Sequence, residues 1–173
     1  IIPLIKQLNT DKSVNGIVVE QPLPSGMDTY SITAEISPEK DVDGLNPVSM
    51  GYLMAGLPGF YSCTAGAVMR LLDGYGFEFK GANTVIVNRS VVVGKPLIFL
   101  LLKRDATVTV CHSKTRNLPA VCSSADLLIV ATGRAEMFDS SYIKPGAWVV
   151  DVGINERDGK IVGDVDYEDA QSV

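Results

Sequence analysis

"VIVNRSVVVGKPLIFLLLK", residues 85–103, is the stretch that decides how the chain is read. The β-branched run Thr84-Val85-Ile86-Val87 reads as a buried strand, because such side chains pack well on a pleated surface. Asn88, Arg89 and Ser90 follow as a loop. Gly94, Lys95 and Pro96 then open an apolar segment long enough for a helix. Proline suits a first helical turn, where a missing N–H costs nothing. The layout is that of a nucleotide-binding turn, in which a helix presents unpaired N–H groups to a phosphate. The usual G-x-G-x-x-G is absent, and only Gly94 stands at or near the place of its third glycine. A strand–loop–helix corner without a ligand fits the same spacing.

Outward from this stretch the pattern is regular. Further short apolar strands read at 107–111, 127–131 and 147–152, with helical or irregular connections between them. Alternation of this kind predicts a parallel sheet in an α/β domain. "TAGAVMRLLDGYG" is amphipathic and predicts a helix ending near Gly74. The tail "GINERDGKIVGDVD" predicts a hairpin turning at Asp158-Gly159. Upstream, Ile2, Ile5 and Leu8 recur at helical spacing, and residues 1–9 read as the end of a helix. "NGIVVEQPLP" reads as a strand running into a proline-punctuated loop, and residues 29–36 as a short helix stopped by Pro38. "PEKDVDGLNPVSMGYLMAGLPGFYS" is dense in Gly and Pro and has no clean period; irregular stretches of this kind often carry a site.

The expected fold is α/β: residues 1–66 form a partial N-terminal α/β domain, and residues 67–173 a Rossmann-like dinucleotide-binding domain with a parallel sheet. The chain opens on Ile1 and closes inside what reads as the start of a helix, "DYEDAQSV". The start of the first domain and the end of the second are therefore expected to be missing.

Composition excludes several classes. Of 173 residues, 46% are hydrophobic and 20% charged, enough for a buried core. A net charge of -5 argues against a nucleic-acid binder, whose footprint would be basic. No apolar stretch approaches the roughly 18 residues of a membrane span. The first residues lack the basic and apolar regions of a signal peptide. Cys63, Cys111 and Cys122 are odd in number and lack metal-ligand spacing, so no metal is expected and they read as reduced thiols of a cytoplasmic protein.

The second strand bears on the cofactor. NAD-specific domains carry an acidic residue at its end for the ribose hydroxyls. Here the strand ends in Cys111, His112, Ser113, Lys114 and Thr115, none of them acidic. With Arg89 in the neighbouring loop, Ser113 and Lys114 point to NADP over NAD. Lys114 and Arg116 also read as ordinary solvated charges.

"KDVDGLNP", "SCTAGAVMRLL", "NRSVVVGKP", "ATVTVCHSKT", "ADLLIVATG", "IKPGAWVVDVGIN" and "GKIVGDVD" occur in this order. Together they resemble the methylenetetrahydrofolate dehydrogenase/cyclohydrolase family over about the whole chain. The resemblance implies two α/β domains flanking a cleft, NADP on the second, and a homodimer formed through the nucleotide domain. It implies oxidation of 5,10-methylenetetrahydrofolate to the methenyl form, then hydrolysis to 10-formyltetrahydrofolate. Asp43 matches the aspartate that contacts the pterin, although a turn aspartate before Gly44 fits too. Arg89 and Ser113 match contacts to the 2′-phosphate. Asn88, Ser90 and Gly94 belong to the phosphate loop, Thr132 and Gly133 lie along the dinucleotide, and Ile154 sits near the nicotinamide. Cys63 and Thr64 match a loop at the cleft. His112 invites a general-base reading; in the family it belongs to the strand-end motif and has no catalytic role.

The chain departs from the family at several points. The family's catalytic lysine, in a Tyr-x-x-x-Lys motif, lies upstream of Ile1, and a Pro-Gly-Gly segment lies downstream of Val173. Ala65 stands where the family has proline. Glu20 stands where it commonly has the glutamine that supports the lysine. Glu20 and Asp43 are thus the catalytic candidates in this chain, and Asp43, Gln21, Pro22 and Leu23 the substrate-binding ones. A carboxylate beside the lysine favours its charged form, which weakens it as a base for cyclohydrolysis more than it harms hydride transfer. Two alternatives stand beside the bifunctional reading: a dehydrogenase with weakened cyclohydrolase, and a non-catalytic nucleotide-binding module.

Overall fold

In a computed structural model, which describes residues 1–173, four parallel strands carry the second half of the chain. They are β1 (Asn83–Val87), β2 (Thr107–Cys111), β3 (Leu127–Val130) and β4 (Trp148–Asp151). Their order is β2-β1-β3-β4. The register aligns Val87 with both Cys111 and Val130, and Val130 with Asp151, so the carboxyl ends form one rim.

Alternation along the strands supplies two apolar faces. Ile86, Leu127, Ile129 and Val150 face one side. Helices α4 (Cys63–Gly74) and α5 (Gly94–Leu102) cover them with Val68, Leu72, Leu97 and Leu101. Val85, Val87, Leu128 and Val130 face the other side. There they pack on Cys122 of the short helix α6 (Leu118–Cys122), on Phe138 and on Ile143. Strands covered on both faces read as continuous apolar runs, as β1 and β3 do. The chain leaves β1 to one side for β2 and returns past it to β3. β1 is therefore the point at which strand order reverses.

The first part is lighter. Helices α1 (Ile2–Thr10) and α2 (Thr29–Thr33) enclose a small core of Ile5, Ile17, Ile32 and Ile36. The strand expected at "NGIVVEQPLP" does not form; Ile17 makes one parallel bridge to Asp41 and nothing more. The segment buries Ile17 while leaving Val18 exposed. The Gly/Pro-dense stretch hides a helix, α3 (Pro47–Met54), begun by Asn46, whose side chain accepts from the Val48 N–H at 2.7 Å. Its apolar residues lie all round, with Val48, Tyr52 and Met54 exposed and only Ser49 buried, so no helical stripe is visible. A hairpin, β5 (Asn155–Arg157) and β6 (Lys160–Val162), turns at Asp158-Gly159, both with positive φ. A last helix, α7, spans Tyr167–Ala170. No helix is long and apolar enough to cross a membrane.

Two carboxylates fasten the rim. Asp164, fully buried, accepts from the N–H groups of Thr132, Gly133 (3.1 Å) and Arg134 (2.9 Å), from the Thr132 hydroxyl (3.0 Å) and from Asn155 Nδ2 (2.9 Å). Asp151 accepts from the N–H groups of Gly153 and Val165, at 2.8 and 2.9 Å. A Cβ on Gly153 would lie 2.3 Å from Cγ of Asp164, so only glycine lets the chain pass. Burial alone would raise the pKa of Asp164, but the donors of Asn155, Thr132 and Arg134 outweigh it and hold the carboxyl below its ordinary range.

A lowered folded pKa stabilises above the unfolded value of about 3.9 and loses that contribution as pH falls through the folded value. Asp164→Asn, which leaves buried donors unmatched, is expected to cost roughly 3 kcal/mol near neutral pH. The gap to wild type should narrow as pH falls from about 5 to about 2. Urea unfolding at both ends of that range measures it, and a constant gap would show that ionisation of Asp164 contributes nothing. A second expectation concerns Gly94, where a Cβ would sit 2.2 Å from the backbone oxygen of Asn88. Gly94→Ala forces the start of α5 off the end of β1 and should destabilise by about 1–3 kcal/mol. Thermal melts should then show a lowered midpoint; an unchanged midpoint would mean that α5 shifts freely.

Candidate functional site

A cavity of about 380 Å³ opens over the carboxyl ends of β2, β1 and β3. This is where open parallel sheets bind ligands, at the reversal of strand order. Asn88, Arg89 and Ser90 reach it from β1, His112 and Ser113 from β2, and Thr132, Arg134 and Met137 from β3. Leu118 of α6 completes an apolar wall with Met137. No carboxylate lines the cavity. A larger cavity of about 540 Å³ lies at the opposite end of the strands, beside Phe77, Asp126 and Trp148. Its Asp126 and Lys144 satisfy one another at 2.6 Å, which leaves less charge to attract a ligand. The smaller cavity is the better candidate, on position and on charge.

The loop after β1 is shaped by a side chain. Asn88 Oδ1 accepts from the N–H groups of Ser90 and Gly94, at 2.7 and 2.9 Å, and Asn88 Nδ2 donates to the carbonyl of Ala131 at 2.5 Å. The Ser90 hydroxyl accepts from the Val93 N–H at 3.1 Å. This closes the loop and ties the end of β1 to the end of β3. Arg89 is exposed on the loop and has no ion-pair partner. On the second strand, His112 Nδ1 accepts from the Lys114 N–H at 3.1 Å, so its free donor is Nε2. Beneath the cavity, burial raises the thiol of Cys111, and burial with the nearness of Cys111 pushes Cys122 up to about 12. Both are free cysteines held as inert thiols.

The cavity thus collects Asn88, Arg89, Ser90, Ser113 and Thr132 from the residues named in the sequence. Gly94, Gly133 and Ile154 do not line it. Gly94 lies under the loop, where it allows the close approach to Asn88. The N–H groups of Thr132 and Gly133 are occupied by Asp164 and are not free for a ligand. Ile154 is 80% exposed beyond the end of β4. Arg134 and Asp164 carry no local signal in the sequence. An arginine on a polar turn looks like a solvated charge, and an aspartate in "GDVD" gives no sign of the donors it meets.

A second group of residues lies in the first half. Asp41, not Asp43, performs the turn: it is buried and accepts from the N–H groups of Leu45 and Asn46, at 3.2 and 2.8 Å. Asp43 is half-buried and accepts from the Cys63 N–H at the start of α4, at 3.3 Å. A carboxylate suits that helix end, and Asp43 keeps lone pairs to spare. Partial burial, then the hydrogen bond and charge of Asp43, raise the Cys63 thiol, so Cys63 is not a ready nucleophile. Glu20, Gln21 and Pro22 are exposed, and Leu23 packs partly against the small core. Gln21 Oε1 accepts from the Thr29 hydroxyl at 3.3 Å, whereas Glu20 has no hydrogen bond or ion pair within the chain.

Residues 62–173 match the family model described as "Tetrahydrofolate dehydrogenase/cyclohydrolase, NAD(P)-binding domain". Residues 1–43 match the one described as "Tetrahydrofolate dehydrogenase/cyclohydrolase, catalytic domain". The bifunctional protein FolD of Ruminiclostridium cellulolyticum is 47% identical over 174 aligned positions, covering 100% of this chain and 61% of that protein. The crystal structure of the bifunctional enzyme FolD from Campylobacter jejuni superposes with a TM-score of 0.96 at 46% identity, over 99% of this chain and 61% of that one. The Trypanosoma brucei enzyme, crystallised with NADP cofactor and an inhibitor, does so with a TM-score of 0.90 at 35% identity, over 98% and 61%. The chain therefore spans about three fifths of the length of these relatives. Matches to both parts of one family model pair, together with relatives at this identity over the whole chain, establish that the chain belongs to the tetrahydrofolate dehydrogenase/cyclohydrolase family.

Proposed function

We propose that the chain is the NADP-holding part, with some of the folate-facing part, of a bifunctional methylenetetrahydrofolate dehydrogenase/cyclohydrolase. The observation that carries this is the carboxylate-free cavity at the reversal of strand order, with Arg89 and Ser113 on adjoining strand ends. A residue without negative charge at the end of β2 admits a 2′-phosphate, and Arg89 supplies a planar fork of donors for it. The relative crystallised with NADP supports the same choice.

The bound nicotinamide would accept a hydride from the methylene carbon of the folate. The work of this chain is orientation. The loop fixed by Asn88 would hold the phosphates of the dinucleotide. Leu118 and Met137 would give the adenosine an apolar wall, and Ile154, exposed past β4, would meet the nicotinamide. Asp43, relieved of turn duty by Asp41, has acceptor capacity for the pterin N–H groups. Glu20 is unpaired and exposed, free to meet a cation such as the lysine that the family carries before this point. With Glu20 there, cyclohydrolysis should be weaker relative to dehydrogenation. A division at residues 66 and 67, a homodimer and a cytoplasmic setting belong to the same reading; free buried thiols support the last.

Arg89→Ala should raise the Kd for NADP about tenfold to a hundredfold, since a charge-assisted bond is worth about 1.5–3 kcal/mol, and leave NAD nearly unchanged. Fluorescence titration with each dinucleotide decides; equal losses would make Arg89 structural. In the intact protein that contains this chain, Asp43→Ala should abolish folate turnover at saturating NADP while NADP still binds. Retained turnover with a lowered melting temperature would return Asp43 to the role of a turn residue.

A further inference from the structure

We propose that Arg134 is a second specificity-determining residue, which reads the phosphate on the adenosine ribose together with Arg89. The inference rests on the dinucleotide reading of the cavity and goes beyond it.

A phosphomonoester carries about -1.5 to -2 near pH 7. One guanidinium and a serine hydroxyl leave a substantial part of that uncompensated. Among the lining residues only Arg89 and Arg134 are cationic side chains with no carboxylate in reach of the cavity. The acid on the same turn, Glu136, is already bound by Arg157 of the hairpin. Arg134 itself forms no ion pair. Its Nη1 lies 3.9 Å from Sδ of Met137, so the exposed side chain rests against the cavity wall.

The Arg134 N–H donates to Asp164 at 2.9 Å, the two preceding N–H groups donate to the same carboxylate, and the Glu136 N–H donates to the carbonyl of Gly163 at 3.1 Å. The backbone from which Arg134 projects is thus fixed on both sides. A flexible arginine loses much of its gain to ordering, whereas one mounted on a fixed turn loses less. Arg89 comes from the loop after β1 and Arg134 from the turn after β3, so the pair approaches the cavity from two strand ends.

The test measures binding of NADP and of NAD to the wild-type chain, to R134A, to R89A and to the double variant, with melting temperatures for each. R134A changes an exposed side chain and should melt as wild type does. It should raise the Kd for NADP about tenfold and that for NAD less than twofold, and the double variant should prefer NADP no longer. Equal losses for both dinucleotides would overturn the proposal in favour of contact with the adenine, and an unchanged Kd for NADP would overturn it outright. Failure of the wild-type chain to bind either dinucleotide would instead overturn the underlying reading of the cavity, and the role of Arg134 with it.

Discussion

The buried carboxylate of Asp164 is the interaction on which the rim depends. It takes five donors from the turn after β3 and from Asn155 at the start of β5. Those N–H groups would otherwise point into the space between turn and hairpin with no partner, and an unmatched buried donor costs about 1–3 kcal/mol. A neutral acceptor could not satisfy so many donors, whereas an ionised carboxylate offers about four lone-pair sites. The hairpin, an exposed appendage by its side chains, is therefore a structural brace. It carries Asp164 back under the turn, and the bridge between Phe138 and Val165 keeps it there.

This arrangement divides labour at the cavity. Asn88 takes the backbone N–H groups of Ser90 and Gly94, and Asp164 those of Thr132, Gly133 and Arg134. The side chains that line the cavity with polar groups to spare are two guanidiniums, the hydroxyls of Ser90 and Ser113 and the imidazole of His112, beside an apolar wall. Such a site distinguishes ligands by charge and shape. A phosphorylated ribose gains from both arginines, and an unphosphorylated one meets no acid for its hydroxyls. On the proposed reading, preference for NADP would follow from what the end of β2 lacks as much as from what Arg89 supplies.

Much of this was legible in the sequence, and the parts that were not share a cause. β1, β2, β3 and β4 could be read because apolar runs of four or five residues between turn signals leave few other structures. The hairpin could be read from Asp158-Gly159. α3 could not be read from its periodicity, since its apolar residues lie on all sides; the Asn46-Pro47 start was its one local signal. Residues 15–19 have the composition of a strand, and their one bridge joins Ile17 to Asp41. Asp41 and Asp43 stand two apart in one motif, and nothing local tells which closes the turn. Asp164 meets donors up to 32 residues away, and no window of sequence contains both halves of such a contact. Local order is written locally, while polar satisfaction is a property of the folded chain.

The missing glycines after β1 follow from the same logic. In the glycine-rich form of this turn, bare backbone crowds the pyrophosphate, and each glycine makes room for that approach. Here one glycine survives, Gly94, because α5 must start within contact of Asn88 whatever the ligand. The others are replaced by a side chain that closes the loop from inside: Asn88 accepts two N–H groups and donates to the next strand. A loop held this way needs no left-handed residues, and none of Asn88 to Val93 has a positive φ. Hydrogen bonds within the chain fix its shape, so little ordering is left for binding to supply. With less backbone offered to the phosphates, affinity must come from charge, and the acid-free cavity with arginines from two strand ends is the form that requirement takes.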